Sequence, residues 1–80
     1  MGSSRIMDVK NIEVVPVESS NANAMGYNAK RKLLYVEFRG GSLYRYSGVP
    51  KLIFEGLKNT ESFGRYLNQH VKGTYDFVKV

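Results

Sequence analysis

The stretch from Leu33 to Tyr46 constrains the fold most. Leu34, Val36 and Phe38 alternate with Tyr35, Glu37 and Arg39, and a period of two belongs to a β-strand with one buried face. Gly40-Gly41 interrupts the run, and Leu43 to Tyr46 begins a second one. Two such runs around a glycine pair predict a β-hairpin. Its register decides which side chains share a face. A two-residue turn pairs Arg39 with Ser42 and puts Leu43 and Arg45 on the Leu34 face. A three-residue loop ending in a bulge at Gly41 pairs Phe38 with Ser42 and puts Tyr44 and Tyr46 there instead. A slip of one residue reverses every side chain. Burying Arg45 without a partner is costly, so the bulged register is expected.

The rest of the chain supplies strands before the hairpin and helices after it. Ile12 to Val17 is rich in β-branched residues, and Pro16 marks it as an edge strand or a broken one. Ser19-Ser20-Asn21 is turn chemistry. Met25 to Asn28 reads as a short strand, and Ala29 to Lys32 as a charged turn. Pro50 suits a helix start because its missing N–H has no partner there anyway. A helix is predicted from Pro50 to Lys58, with Ile53, Phe54 and Leu57 as its apolar stripe. Thr60 or Ser62 then caps a second helix running to about Lys72. Phe63, Tyr66, Leu67, His70 and Val71 fall on one face of it, and Gly73 stops it. Tyr75 to Val80 is either a short strand or an extended tail. The expected fold class is α+β, a small antiparallel sheet of three to four strands with two helices packed on one face. Leu34, Val36, Phe38, Phe54, Leu57, Phe63 and Leu67 are the expected core.

A chain of 80 residues has room for one domain, and its core is small. With no cysteine and a single histidine, neither disulfides nor a zinc site can staple it. Six Tyr and four Phe make an aromatic core the expected source of stability, with self-association as an alternative. Residues 1–6 read as a leader left by cloning. Met7 then reads as the natural start, and residues 7–80 as one domain. No run approaches the ~20 apolar residues of a membrane span. Lack of cysteine suits a reducing compartment, so a cytoplasmic location is expected.

Catalytic chemistry is hard to assemble from these residues. His70 falls on the apolar face of the second helix, where a half-buried packing role is favoured over acid–base work. Ser19 and Ser20 have no base beside them and read as turn or capping residues. The carboxylates are scattered, without an acid pair or a metal-ligand cluster. Gly40-Gly41 is followed by a strand, so it is a turn and no phosphate loop. No cofactor or metal is implied.

Several short motifs follow one another in a set order. They are Ser19-Ser20, Gly26-Tyr27, Leu34-x-Val36-x-Phe38, Gly41, Tyr44-Arg45-Tyr46, Val49-Pro50 and Ser62-x-Gly64-x-x-x-Asn68. Together they resemble the KTSC domain, a module named for the C-terminus of some lysyl-tRNA synthetases and also found alone in small bacterial and phage proteins. The resemblance spans residues 19–75 and leaves the first 18 unaccounted for. Lys72 fits a basic position near the end of the family's last helix. The Tyr-x-Tyr hallmark falls on Tyr44 and Tyr46, which the bulged register puts on the core side. What the resemblance implies for function is RNA binding, suggested by the synthetase context.

Charge points the same way. Residues 29–51 hold Lys30, Arg31, Lys32, Arg39, Arg45 and Lys51 against Glu37 alone, an excess of +5 that equals the net charge of the whole chain. A clustered positive field attracts polyanions, although a solvated surface has the same composition. The leading expectation is a non-catalytic module that binds nucleic acid, RNA rather than DNA. Its surface would be the outer hairpin face and the adjoining turn: Lys30, Arg31, Lys32, Tyr35, Arg39 and Arg45. Basic groups would meet phosphates there, and Tyr35 would stack a base. In the bulged register Arg39 and Arg45 are expected to be neighbours across the hairpin, with Glu37 near them. A second expectation is a site for a small anionic nucleotide at an oligomer interface, using Tyr44, Arg45, Tyr46, Arg65 and the Ser19-Ser20 turn. A third is a protein-interaction domain that uses its edge strand or aromatic surface.

Overall fold

The computed structural model describes residues 12–17 and 19–80. Its elements are β1 (Glu13–Pro16), β2 (Ala22–Asn28), β3 (Leu33–Phe38), β4 (Leu43–Ser47), α1 (Lys51–Asn59), α2 (Phe63–His70) and β5 (Phe77–Lys79). The expected leader over residues 1–6 and the start at Met7 lie outside the described residues.

The hairpin takes the bulged register. Tyr46 stands opposite Leu34, Tyr44 opposite Val36, and Arg45 opposite Tyr35. The Phe38 N–H donates to the Ser42 carbonyl at 2.8 Å, and the Gly41 N–H donates to the Phe38 carbonyl at 3.1 Å. Gly40 and Gly41 both have φ of 95°, a backbone that side-chain-bearing residues avoid.

Among the described residues the sheet has five antiparallel strands in the order β1-β2-β3-β4-β5, so the expected three or four is corrected to five. The difference lies in the ends of the chain. Glu13–Pro16 pairs with β2 and makes one edge, where Pro16 is tolerated. Phe77–Lys79 pairs with β4 and makes the other.

β2 is longer than Met25–Asn28. It begins at Ala22, and its register shifts between Ala22 and Ala24. Alanine, asparagine and glycine are poor strand formers, so β2 forms because β1 and β3 flank it on both sides.

Both helices pack on one sheet face. Phe54 and Leu57 of α1, Phe63 and Leu67 of α2, and Val71 at the C-cap of α2 share a core with Met25, Tyr27, Leu34, Val36 and Tyr46. Tyr27 stacks on Phe54 with centroids 4.9 Å apart and donates its hydroxyl to the Val49 carbonyl at 2.6 Å. The Lys58 ammonium ties α1 to β1 through Glu13 at 3.1 Å. That hydrogen bond raises its pKa, against a lesser opposing effect of burial.

Ser62 caps α2 by accepting from the Arg65 N–H, and Gly73 follows the helix with φ of 82°. One core assignment, Phe38, and the half-buried role expected of His70 need correction. Phe38 is half-buried and packs at the margin of the core. His70 is exposed, with its ring against Tyr66 at 4.3 Å. The buried face of α2 is centred on Phe63, Leu67 and Val71, and at ~100° per residue His70 is turned about 60° from that centre.

Candidate functional site

The outer face of the hairpin is not an open stacking surface. Tyr35 is only 8% exposed and lies in a second small cluster with Ala24 and Leu43. Glu37 is buried as well. Gly26 stands opposite Tyr35 across β2 and β3, and a residue without a side chain leaves that space to the ring. The expected role of Tyr35 in stacking a base is therefore corrected: its ring is enclosed. Arg45 is half-buried, and its Nε is buried without a hydrogen-bond partner.

The expected Arg39–Arg45 pair does not form either. Arg45 faces Tyr35, whereas Arg39 lies beyond the end of β3. Four residues of strand separate those levels, roughly 13 Å at 3.3 Å per residue. Arg39 instead folds back on the loop before β2, donating from Nε and Nη2 to the Ser19 carbonyl at 3.1 and 3.0 Å. Lys30, Arg31 and Lys32 are exposed in the β2–β3 turn, at the opposite end of β3. The Arg31 N–H donates to Asn28 Oδ1, and Lys32 has a left-handed φ of 56°. The basic segment thus divides between the two ends of the hairpin.

A different set of residues gathers along α2. A polar hollow of about 590 Å³ is lined by Ser19, Ser20 and Asn21 from the loop before β2, by Glu61 and the N-cap Ser62 ahead of α2, and by Arg65 and Asn68 of α2, so that it carries one acidic and one basic side chain. A smaller one of about 270 Å³ shares Asn21 and Asn68 with it and continues to Phe38 and Lys72. Phe38 and Lys72 also border a third hollow of about 440 Å³, completed by Ser42, Tyr44, Tyr46 and Phe77. The three make one groove, polar at the Arg65 end and aromatic at the Phe77 end. Both serines of the Ser19-Ser20 motif and all three named residues of Ser62-x-Gly64-x-x-x-Asn68 line its polar part. These motifs are far apart in sequence and meet only through the packing of α2.

The aromatic end has defined geometry. The rings of Phe38 and Tyr44 meet edge to face at 5.4 Å. Phe77 tilts against Tyr44 at 5.4 Å and against Tyr46 at 5.6 Å. The Lys72 ammonium lies 5.4 Å from the centre of the Phe38 ring, a cation–π distance. Tyr44 is half-buried and Tyr46 is 2% exposed. Burial, and next the neighbouring Tyr44, raise the Tyr46 pKa, so its phenol stays protonated well into the alkaline range. Phe77 is 54% exposed. Sequence reasoning placed Tyr44, Tyr46 and Arg65 among candidate ligand groups but missed Phe77, Lys72 and Asn68 as neighbours. The apolar Phe77 after a helix stop was the available signal.

Among the described residues no three His, Asp or Glu side chains gather where they could hold a metal ion. No helix among them is long and apolar enough to cross a membrane.

Comparison with known proteins agrees with the arrangement of motifs. Residues 18–75 match the KTSC domain family. A protein of Stutzerimonas stutzeri is 40% identical over 58 residues, covering 72% of this chain and 82% of its own length. The lysine–tRNA ligase of Nostoc punctiforme is 35% identical over 78 residues, which are 98% of this chain but 14% of that protein. The crystal structure of a KTSC domain protein from Yersinia pestis superposes with a TM-score of 0.82 at 29% identity, covering 86% of this chain and 97% of that one.

Proposed function

The chain belongs to the KTSC family, and we propose that it is a non-catalytic module that binds single-stranded nucleic acid, RNA in preference to DNA, along the groove beside α2. The observation that carries this reading is the groove itself. Arg65 and Lys72 border a continuous track that ends in the rings of Phe38, Tyr44 and Phe77. Cations that follow a backbone, joined to rings that take bases, are the two requirements for holding a single strand. Lys79 stands opposite Tyr44 across β4 and β5, on the same sheet face as the rings, and adds a charge at that end. RNA is favoured over DNA because the domain also occurs within proteins named as lysine–tRNA ligases. The exposed Lys30-Arg31-Lys32 turn is a separate basic site at the far end.

Fluorescence anisotropy with a labelled single-stranded RNA at several salt concentrations tests the reading. Binding should weaken steeply with salt, and each phosphate contact contributes about 0.7 to the logarithmic slope. Arg65→Ala and Lys72→Ala should each lower affinity and flatten that slope by about 0.7. Replacing Lys30 and Lys32 together should leave the slope nearly unchanged. Absence of binding at low salt, or a slope altered only by the Lys30 and Lys32 pair, refutes the groove as the site.

One observation favours a second reading. β5 is an edge strand that exposes Phe77 and Val78, a pattern suited to pairing with another chain. A protein partner of that kind would bind with little salt dependence and would ignore RNA.

A further inference from the structure

We propose that the aromatic hollow between β4, β5 and the end of α2 is a pocket for a single unpaired nucleobase, with Lys72 receiving the adjoining phosphate. The inference rests on the nucleic-acid reading above and deepens it. Three features of the hollow select this ligand. The first is shape: Tyr44 and Phe77 are tilted by 37° with their centres 5.4 Å apart, and Phe77 leaves half its surface open. A flat ring laid on Phe77 covers apolar surface that is otherwise left in water. At about 440 Å³ the hollow falls within the range of small-molecule sites.

The second is a polar group at the wall. The Tyr46 side chain is 2% exposed, lines the hollow, and has no hydrogen bond from its hydroxyl to any described residue. Arg45 Nε is the fully buried unpaired side-chain atom among the described residues, so the Tyr46 hydroxyl keeps a small opening onto the hollow, where it can donate and accept. A base edge carries both donors and acceptors and can complete this one, whereas an aliphatic ligand cannot. The third is charge. Lys72 holds its ammonium at the Phe38 ring, on the rim of the hollow, and Lys79 is opposite Tyr44. A base joined to a phosphate matches both the rings and these cations, while a peptide aromatic side chain brings no anion.

The test uses the full chain, a labelled RNA of about ten nucleotides, adenosine and uridine monophosphates, and inorganic phosphate. NMR titration with the monophosphates should shift the signals of Tyr44, Lys72 and Phe77 together, and inorganic phosphate should shift Lys72 alone. Phe77→Ala should weaken RNA binding about tenfold, the effect of losing one stacked base. Tyr46→Phe keeps the ring and should weaken binding severalfold while altering the preference among the four bases, which a packing role would not do. If RNA binds but Phe77→Ala and Tyr46→Phe bind as the parent does, the pocket is refuted and the nucleic-acid reading survives. If monophosphates shift the hollow but RNA does not bind, the pocket stands and the polymer reading fails. If neither ligand binds, both are overturned.

Discussion

Tyr27 and Tyr46 are nearly identical in burial, yet their hydroxyls differ. Tyr27 donates to the Val49 carbonyl, which anchors the chain at the start of α1. Tyr46 has no such partner among the described residues and faces the groove. Tyr27→Phe should therefore cost about 1–3 kcal/mol, since it leaves a buried carbonyl unpaired. Tyr46→Phe should change stability at neutral pH by less than ~0.5 kcal/mol, because no internal bond is lost. Burial raises both pKa values, with Tyr44 adding to the effect at Tyr46. A group whose pKa is raised by folding holds its proton more tightly in the folded state. Its contribution is complete below the ordinary tyrosine value of about 10 and is lost as pH rises through the folded-state value. Tyr46→Phe should thus flatten the alkaline decline in stability. Urea denaturation from neutral to alkaline pH measures both effects. A loss above ~1 kcal/mol for Tyr46→Phe at neutral pH would mean that its hydroxyl has an internal partner after all.

Between elements, the least expected contact joins the two helices. A β-carbon built on Gly56 of α1 would run into the hydroxyl end of the Tyr66 ring from α2. Glycine inside a helix costs about 1 kcal/mol relative to alanine, so Gly56→Ala alone gains helix propensity but displaces Tyr66. Overpacking of this kind costs about 1–3 kcal/mol, and the net change should be destabilising. In a Tyr66→Ala background the same substitution should become neutral or stabilising. A double-mutant cycle read by chemical denaturation decides, and simple additivity would refute the contact.

This pairing was not legible in the sequence, where Gly56 reads as one more position of a short helix. The hairpin register was legible, because only one of two registers kept Arg45 off the core. The site was legible in part. Alternation assigned Tyr35 to the outer face correctly, yet an outer face is not always a wet one. Tyr35 is enclosed there with Ala24 and Leu43, and no local pattern reveals such a cluster. The groove is assembled from the loop before β2, the end of β3, β4, α2 and β5, so its members become neighbours only in three dimensions.

At the scale of the whole molecule, the sheet follows chain order, and its two edges are the first and last strands described. β1 is blunted by Pro16, which cannot donate to a further strand. β5 has no such guard, and it carries Phe77 into the groove. Its attachment to β4 is therefore the joint on which stability and the aromatic end of the groove both depend. The Ser47 N–H donates to the Asp76 carbonyl and the Val80 N–H to the Leu43 carbonyl, at 2.9 and 2.8 Å. Antiparallel ladders alternate, so Val78, opposite Arg45, turns its main chain inward to β4. Phe77 and Lys79 turn theirs outward. Proline has no N–H to give. Val78→Pro should remove a ladder bond, leave a carbonyl of β4 unpaired and cost on the order of 1–3 kcal/mol. Lys79→Pro removes only an outward N–H and should cost clearly less. The loosened strand of Val78→Pro should also release Phe77 from Tyr44 and Tyr46. Urea denaturation gives the stabilities, and NMR of the Tyr44 and Tyr46 ring signals reports whether Phe77 has left them. Equal losses for the two proline variants, or unchanged ring signals in Val78→Pro, would show that the groove does not depend on this edge.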